Sequence, residues 1–435
     1  MTDTLQTASR PGLEPSAPPH APHREPPLGR GRGLRAFLSV IGPAIVASVA
    51  YVDPGNYVTN IQAGARYGYA LLWVVLLSNL IAMLFQSWAA RLGIVSGRNL
   101  AELSRERFPG VPAVLMWIGT EIAAMATDLA EFVGGALGVS LLTHCSLMIG
   151  MVAMGVGTMA LLQLQGRGFR PIERAIGALV AIICVSYALE LLIVPVDWPS
   201  ALRGSLLPSM PDGAAVSLSI ALVGATVMPH AIYLHSALFR DRPVPGSDAE
   251  RARIVRFSDR EVVLALSTVG LVNMAMVVLA AHFHAAHPDI DSIAVAYRTL
   301  DPLLGRAAAL LFLLSLLASG LSSSVVGTMA GQVVMQGFVG FRIPVWVRRV
   351  LTMLPAFVVI GLGTDVTQTL VWSQIVLSFV LPLPMITLLM FSRSEAIMGR
   401  FRMSRRVLVL AGCMAGFVLV LNVVLLLQAA GLMPG

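Results

Sequence analysis

A short stretch near the start of the chain combines residue types that could bind a cation inside a membrane. Asp53, Pro54, Gly55 and Asn56 follow one another in the middle of an apolar segment. Pro54 removes a backbone donor and Gly55 loosens the backbone, so the segment from about 37 to 66 is predicted to form two half-helices with an unwound joint. Polar groups in lipid are tolerated where they line a cavity or meet a ligand. We therefore expect Asp53 and Asn56 to act as ligands.

A second apolar segment is interrupted in the same way. Met228, Pro229 and His230 lie near the middle of the sixth apolar run. Together the two interruptions offer one carboxylate, one carboxamide, one thioether and main-chain carbonyls, which belong to Asp53, Asn56, Met228, Ala50 and Ala225. Oxygen ligands alone suit Mg²⁺ or Ca²⁺, whereas an added thioether favours later or softer transition metals. The alternative is that Asp53 only caps a half-helix and Met228 only fills space in the core.

The composition is that of a polytopic membrane protein. Of the 435 residues, 56% are hydrophobic and 12% are charged, whereas soluble domains carry about 25% charged residues. The net charge of +7 does not indicate nucleic acid, because every basic residue is arginine and the arginines cluster between apolar segments. The three cysteines, Cys145, Cys184 and Cys413, form no CxxC pair, so neither a disulfide framework nor a thiolate metal site is predicted.

Eleven apolar runs are near or above the roughly 20 residues that a bilayer requires. They lie at about 37–66, 70–93, 112–140, 146–164, 172–194, 214–239, 261–285, 302–334, 348–364, 367–391 and 406–431. Residues 1–35 are predicted to be a disordered cytoplasmic tail, 36–431 a single transmembrane domain, and 432–435 a short C-terminal end.

The arginines set the orientation of these runs. They cluster in the loops after the even-numbered runs, so the positive-inside rule places the N-terminus in the cytoplasm and the C-terminus outside. An offset of five runs separates the two interruptions. Because an odd offset inverts the orientation, runs 1–5 and 6–10 are predicted to form an inverted repeat, with the site near the midplane where the broken helices meet.

Several motifs together resemble those of one transporter family. They are Asp-Pro-Gly-Asn at 53–56, Met-Pro-His at 228–230, Gly-Ala-Arg-Tyr-Gly at 64–68, Ser-Gly-Arg-Asn-Leu at 96–100 and Leu-Ser-Ser-Ser at 321–324. With these motifs the chain resembles the Nramp family of proton-coupled divalent metal transporters, in its bacterial manganese-transporter branch, from about residue 37 to 431.

The resemblance implies both a fold and a ligand set. The implied fold is all-α and leucine-transporter-like, with an eleventh helix after the repeat. The implied function is uptake of Mn²⁺ and Fe²⁺, with tolerance of Co²⁺ and Cd²⁺, together with protons. The implied ligands are Asp53, Asn56, Met228 and the Ala225 carbonyl, joined in some conformations by the Ala50 carbonyl and Gln374.

Acidic residues in the third run form a second candidate site. Glu121, Asp128 and Glu131 are offset by 7 and 3, which places them on one face of a helix at about 100° per residue. The functional interpretation is a proton relay from the metal site toward the cytoplasm, with His230 as a titratable group. The alternative is a set of static buried ion pairs with arginines such as Arg348 and Arg349. The resemblance implies that the matching acids, and Asp53 itself, take part in proton movement.

Other polar residues have two interpretations each. Asn79, Gln86 and Asn273 could line a pore or form hydrogen bonds between helices, and His235 is interpreted as an interhelical partner. The outside loop with His282, His284, His287 and Asp289 is interpreted as solvated rather than metal-binding. The Gly-Arg-Gly turn at 166–168 lacks a Walker lysine, so ATP is not the predicted energy source.

The predicted function is that of a secondary carrier working by alternating access in the bacterial inner membrane. A cation-coupled organic-solute carrier is the alternative, but it would need free half-helix N-termini for a substrate carboxylate and no thioether. An intramembrane metal hydrolase is not predicted, because the sequence has no HExxH or comparable ligand pair. No resident cofactor and no nucleic-acid partner is expected. Eleven spans form a complete core, so a monomer is expected.

Overall fold

The computed structural model describes residues 42–164, 169–239, 247–284, 292–340 and 343–432. Within these ranges the regular structure is helical and contains no strand. The predicted tail at 1–35, the turn at 166–168, and His287 and Asp289 lie outside the described residues.

The helices follow one another in this order: α1 (Pro43–Val49), α2 (Pro54–Tyr67), α3 (Leu72–Ser96), α4 (Leu100–Arg107), α5 (Val111–Thr143), α6 (Leu147–Gln163), α7 (Phe169–Ile193), α8 (Trp198–Leu206), α9 (Gly213–Thr226), α10 (Pro229–Ala237), α11 (Asp248–Ala281), α12 (Ile293–Leu304), α13 (Arg306–Val339), α14 (Val345–Gly361), α15 (Val366–Val380), α16 (Pro382–Arg393), α17 (Glu395–Met398) and α18 (Arg405–Ala429).

Every predicted apolar run coincides with one helix or with two consecutive helices of the chain. Eight of these are long and apolar enough to cross a bilayer: α3, α5, α7, α11, α13, α18 and the pairs α9–α10 and α15–α16. The first run is divided into α1 and α2, and the fourth and ninth runs form α6 and α14, of 17 residues each. The protein is a multi-pass membrane protein, while the exact number of crossings stays a prediction.

The outer surface of the helices fits this assignment. Large apolar side chains are exposed on several helices, including Val111 on α5, Leu192 on α7 and Leu271 on α11, with exposed fractions of 71%, 83% and 67%. A soluble monomer rarely exposes apolar patches of this kind, whereas lipid tails cover them without penalty.

The two breaks share one local pattern, Ala-x-Val-x-Pro. It reads Ala50 to Pro54 at the end of α1, and Ala225 to Pro229 at the end of α9. In both, the alanine carbonyl has no helical donor, because the residue four positions later is proline. The residue before each proline is extended: Asp53 has φ −91° and ψ 168°, and Met228 has φ −86° and ψ 125°. The sequence therefore breaks both helices by the same mechanism.

The start of α1 is fastened to α11. The backbone N–H groups of Gly42 and Ala44 donate to Glu261 Oε1 at 2.8 and 3.1 Å. Glu261 is buried, and its carboxylate accepts from N–H groups that the first turn of a helix leaves without intrahelical partners. This contact holds the end of α1 that lies away from the break.

Candidate metal site

The unwound joint between α1 and α2 is held by side chains of two other helices. Asn273 Nδ2 on α11 donates to the Tyr51 carbonyl at 2.8 Å, and Ser319 Oγ on α13 donates to the Val52 carbonyl at 2.6 Å. These are carbonyls that a continuous helix would have used internally. The joint is therefore a fixed structure, and its next residue, Asp53, has a defined position.

Asp53 begins α2 and uses only one of its carboxylate oxygens there. Its Oδ1 accepts from the Asn56 backbone N–H at 2.8 Å and from Asn56 Nδ2 at 2.7 Å. Its Oδ2 is buried and has no hydrogen-bond partner among the described residues. The capping interpretation thus accounts for one oxygen. The second is a buried acceptor left for a ligand, because an unpaired buried carboxylate oxygen is unfavourable.

Asn56 joins the two breaks. Its Nδ2 donates to the Ala225 carbonyl at 3.1 Å, and Thr226 Oγ1 donates to Asn56 Oδ1 at 3.5 Å. The amide NH₂ therefore lies between the Asp53 carboxylate and the Ala225 carbonyl. A cation would be attracted to the same two oxygens, and turning the amide over would add the Asn56 oxygen to them.

Gln374 on α15 lies against both broken helices. A Cβ on Gly55 would overlap the Gln374 side-chain amide, and a Cβ on Gly224 would overlap the Gln374 main-chain carbonyl. Glycine at these two positions allows α15 to approach α2 and α9 this closely. Gln374 Nε2 donates to Ser373 Oγ at 2.9 Å, while Gln374 Oε1 is buried without a partner among the described residues.

The candidate site is a set of mixed donors with a single carboxylate. The structure joins Asp53, Asn56 and Ala225 directly and places Gln374 against Gly55. Ala50 and Met228 lie in the same two breaks and are fully buried, at 1% and 0% exposure. Within the described ranges, no three His, Cys, Asp or Glu side chains gather into a metal-binding group. The donors therefore differ from the thiolate and imidazole sets of structural zinc sites.

The acids of α5 reach two consecutive arginines of α14. Asp128 Oδ1 accepts from Arg349 at 2.7 Å, and Arg349 also donates to Ser324 Oγ and lies 4.2 Å from the ring centre of Phe132. Glu121 accepts from both terminal nitrogens of Arg348, at 3.0 and 2.8 Å. The ion pairs of the alternative interpretation are therefore present, and they connect α5 to α14.

Glu131 differs from the other two acids. Its Oε2 is buried and has no partner in the described part of the chain. A Cβ on Gly327 would lie within 3.1 Å of both Glu131 oxygens and 3.4 Å from Asp128 Oδ1, so the two carboxylates point to the same place. Of these two carboxylates, Asp128 is the one bound by Arg349.

His230 lies between the second break and these acids. Its Nδ1 is 3.3 Å from the Thr127 hydroxyl, and Thr127 directly precedes Asp128. Its Nε2 is buried without a partner among the residues that the structure describes. The imidazole therefore forms a polar connection from α10 to α5.

Comparison with known proteins decides the family. The family model described as Nramp, natural resistance-associated macrophage protein-like, matches residues 44–428. The chain belongs to the Nramp family. This Nramp chain is 57% identical over 431 residues to the divalent metal cation transporter MntH of Acidiphilium cryptum (strain JF-5), covering 98% of this chain and 99% of the relative.

Two solved structures confirm the predicted fold. The Eremococcus coleocola manganese transporter, in complex with an aromatic bis-isothiourea substituted compound, matches with a TM-score of 0.83 and 32% identity, covering 91% of this chain and 87% of that one. MHP1, a nucleobase-cation-symport-1 family transporter, matches with a TM-score of 0.56 and 16% identity over 85% and 81% of the two chains, which shows the fold alone. The all-α, leucine-transporter-like fold predicted for this Nramp chain is thus confirmed.

Gln86, His235 and Asn273 form hydrogen bonds around the first break of the Nramp chain. His235 Nδ1 lies 2.7 Å from Gln86 Oε1, and Gln86 Nε2 donates to the Tyr51 hydroxyl. Asn273, besides binding the joint, accepts from Asn60 Nδ2 at 3.1 Å. Gln86 and Asn273 therefore make hydrogen bonds between helices, the second of the two interpretations that the sequence left open, and His235 makes the interhelical contact predicted for it.

Sequence reasoning missed the hydroxyl groups of the site. Thr127, Thr226 and Ser319 each contact a candidate ligand, its neighbour or His230, and they come from three different helices. No local signal separates them from the many other hydroxyl residues in apolar runs. The buried acids Glu190 and Glu261 were missed as well, although an isolated carboxylate in an apolar run is a signal that could have found both.

The loop after α11 and the start of α9 are tied to the far end of α2. His284 Nδ1 lies 2.8 Å from the Ala65 carbonyl, and the Tyr67 hydroxyl donates to Asp212 Oδ1 at 2.8 Å. Asp212 also accepts from the Ala215 backbone N–H, and these hydrogen bonds to its charged form, that of Ala215 first, lower the pKa of the Asp212 carboxyl. His282 and His284 are both exposed, in agreement with the solvated interpretation of the loop. His284 is in addition a hydrogen-bond partner of α2, which that interpretation did not include.

Proposed function

We propose that this Nramp chain imports divalent transition metals, Mn²⁺ and Fe²⁺ and also Co²⁺ and Cd²⁺, together with protons by alternating access. Its relatives are named as metal cation and manganese transporters, so it is a transporter of divalent metals and not an enzyme. One observation supports the site most strongly. The amide of Asn56 joins the Asp53 carboxylate to the Ala225 carbonyl, so one ligand position is shared by two broken helices.

The proposed ligands explain selectivity for divalent transition metals over Ca²⁺ and Mg²⁺. Asp53, Asn56 and the Ala225 carbonyl supply oxygen, and Met228 supplies a thioether, which adds little to the binding of Ca²⁺ or Mg²⁺. Gln374 and the Ala50 carbonyl complete the shell in some conformations. A single carboxylate keeps the affinity low enough for release, which a carrier requires.

The proposed energy source is the membrane potential together with protons. Moving a divalent ion inward across 100 mV, inside negative, is favourable by about 4.6 kcal/mol, twice the single-charge value. For protons we propose a route from Asp53 and His230, by way of Thr127, to Asp128 and Glu131. It continues toward the cytoplasm along the pairs with Arg349 and Arg348, the second of which includes Glu121.

We further propose the inner membrane of a bacterium as the location, with the N-terminus in the cytoplasm and the C-terminus outside. The arginine pattern of the loops supports this orientation. A monomer is proposed because the candidate ligands and the relay all come from one chain.

A cation-coupled organic-solute carrier of the same fold is the second candidate. It would bind a substrate carboxylate at the N-terminus of a half-helix. At α2 the Asn56 N–H is already bound by Asp53, so the protein's own carboxylate occupies that place. This observation favours the metal transporter.

Uptake of Mn²⁺ into proteoliposomes tests the proposed site. Asp53→Ala is expected to lower uptake at least tenfold, because it removes the only carboxylate among the proposed ligands. Met228→Ala is expected to retain uptake but to let Ca²⁺ compete, because the remaining ligands are all oxygen. Met151→Ala, at a fully buried methionine on α6, is the matched control and should behave as the wild type. Equal Ca²⁺ competition in the wild type and Met228→Ala would rule out the thioether as the selective ligand.

A further inference from the structure

Glu190 is a buried acid that the proposed relay does not use. It lies in the last turn of α7, with 2% of its side chain exposed. Its Oε1 has no hydrogen-bond partner, and no ion pair joins Glu190 to a cationic side chain, within the described part of the chain. A charged carboxylate is strongly disfavoured in such a place, so the group must be neutral or must bind a cation.

Two tyrosines share the environment of Glu190. Tyr187 lies one turn earlier on the same face of α7, and its ring meets that of Tyr57 on α2 edge-on at 5.8 Å. Tyr57 also meets Phe312 on α13 at 6.0 Å. The hydroxyls of Tyr57 and Tyr187 are buried and approach each other and Ser315, although no hydrogen bond of good geometry joins them. The Glu190 carboxyl and two hydroxyls thus gather between α2, α7 and α13, and Glu190 Oε1 has no partner among the described residues there.

Among the described residues, no charged side chain other than Glu190 is found at this cluster. From α2, Tyr57 faces Glu190, and from α13, Ser315 approaches the Tyr57 hydroxyl. On α7 itself, Cys184 is a further titratable group close to Tyr57. Of the other helices packed against α7, neither α1 nor α6 has a titratable side chain, and α11 has none from 264 to 281. Arg306, at the start of α13, is exposed. A change in the charge of Glu190 would therefore go uncompensated.

The cluster lies on the opposite side of the metal site from the relay. Tyr57 directly follows Asn56, and α2 runs from the break toward the end predicted to face outside. Glu190 is one turn from the end of α7 that faces the same side. The pair of Glu121 and Arg348 lies instead in the half of α5 predicted to face the cytoplasm.

We propose that Glu190, beside Tyr187, is a proton-binding site on the outer side of the metal site. The proposal rests on the proposed import of metal with protons. Opening to the outside hydrates Glu190 and lets its carboxyl exchange a proton with external water. Closing around the cluster, as in this structure, requires the neutral carboxyl. An acidic exterior therefore promotes closure, and an alkaline exterior opposes it by leaving a charge that burial disfavours.

The test measures Mn²⁺ uptake into proteoliposomes against external pH at fixed internal pH. In the wild type, uptake is expected to fall at alkaline external pH. In Glu190→Gln, which is neutral at every pH, that decline is expected to move at least one pH unit higher. Asp197→Asn is the matched control, because Asp197 is an exposed acid on the same side whose loss should leave the wild-type profile. A wild-type profile in Glu190→Gln overturns the proposal.

Two further measurements separate this proposal from the transport function. Infrared difference spectra of the reconstituted protein between two pH values should show a carboxylic C=O band that Glu190→Gln lacks, even if no metal moves. Should Glu190→Gln not fold, Glu190→Asp must shift that band, and an unshifted band overturns the proposal. Replacing external choline by Na⁺ should leave uptake unchanged. A Na⁺ effect that Glu190→Gln abolishes would assign a metal cation in place of the proton.

Discussion

At the residue scale, the geometry of the candidate site depends on its ligands and equally on side chains that form hydrogen bonds with the backbone beside those ligands. Ser319 on α13 binds the Val52 carbonyl, and Val52 directly precedes Asp53. The position of the carboxylate is therefore set by a hydrogen bond between residues 267 positions apart. The hydrogen bond from Asn273 to the Tyr51 carbonyl also joins residues far apart in the sequence, at a separation of 222 positions.

Removing the Ser319 hydroxyl should weaken both stability and transport. Ser319→Ala leaves the buried Val52 carbonyl without its partner, which costs about 1–3 kcal/mol in the free energy of unfolding. We expect a lower thermal denaturation midpoint in detergent and slower Mn²⁺ uptake in proteoliposomes. Ser323→Ala is the control, because the Ser323 hydroxyl donates only to carbonyls of its own helix. Equal midpoints for the two variants would contradict the holding role of Ser319.

The ligands could be predicted from sequence, but their partners could not. Asp53 and Asn56 stand beside a proline in an apolar run, and the Ala225 carbonyl faces Pro229 four residues later, so each has a local cause. Gln374 entered only through the family resemblance. Thr226 and Ser319 look like any hydroxyl residue in a helix, because what distinguishes them is a contact with a distant part of the chain.

At the element scale, the half-helices are short pieces whose positions depend on their neighbours. The described part of α1 has seven residues, too few to be stable alone, so its orientation is set by tertiary contacts. One end is fastened by Glu261 to α11, and the other meets the joint. In a carrier with alternating access, such a half-helix is the element that moves.

Releasing the Glu261 contact should therefore let α1 open. Glu261→Ala removes the acceptor of two buried N–H groups, so the closed position of α1 loses stability relative to an open one. In a background without the three native cysteines, a cysteine in place of Ser48 should react several-fold faster with a membrane-impermeant thiol reagent applied from the cytoplasmic side.

The control for this variant is Asp259→Ala. It breaks an ion pair of the same helix, with Arg91 at 2.7 Å, that does not involve α1. Labelling of the Ser48 position should stay at the wild-type rate. If both variants accelerate labelling equally, the contact of Glu261 with α1 is not the cause.

The long elements were predictable and the short ones were not. Apolar runs near 20 residues long leave few alternatives to a helix in lipid, so all eleven coincide with helices. The connecting helices α4, α8 and α12 have no such constraint and were not predicted. The division of the tenth run into α15 and α16 has a local cause in Pro382, which the sequence analysis did not use.

At the scale of the whole molecule, the inverted repeat explains why one site needs two breaks. Each break supplies an alanine carbonyl and one side chain before a proline: Asp53 in the first and Met228 in the second. One is hard and charged, and the other is soft and neutral. Because related positions of the two halves carry different donors, the symmetric fold produces an asymmetric ligand set, suited to a metal between the hard and soft extremes.

The predicted odd number of membrane spans gives the last prediction. Eleven crossings place the two ends of the chain on opposite sides, whereas any even number places them on the same side. In a variant with Cys145 replaced by serine, a cysteine in place of the exposed Leu432 should react with an impermeant reagent added to intact cells.

Two further positions calibrate that labelling. A cysteine in place of Arg203, on the loop helix α8 that is predicted to lie outside, should also react in intact cells. One in place of Arg107, at the end of α4, should react only after permeabilisation. Both side chains are exposed, so access to the reagent and not burial decides the result. Labelling of the Leu432 position only after permeabilisation would remove the crossing of the last run. The arginine-rich loop from Arg393 to Arg406 fixes the inner end of that run, so a failure to cross would leave Leu432 in the cytoplasm.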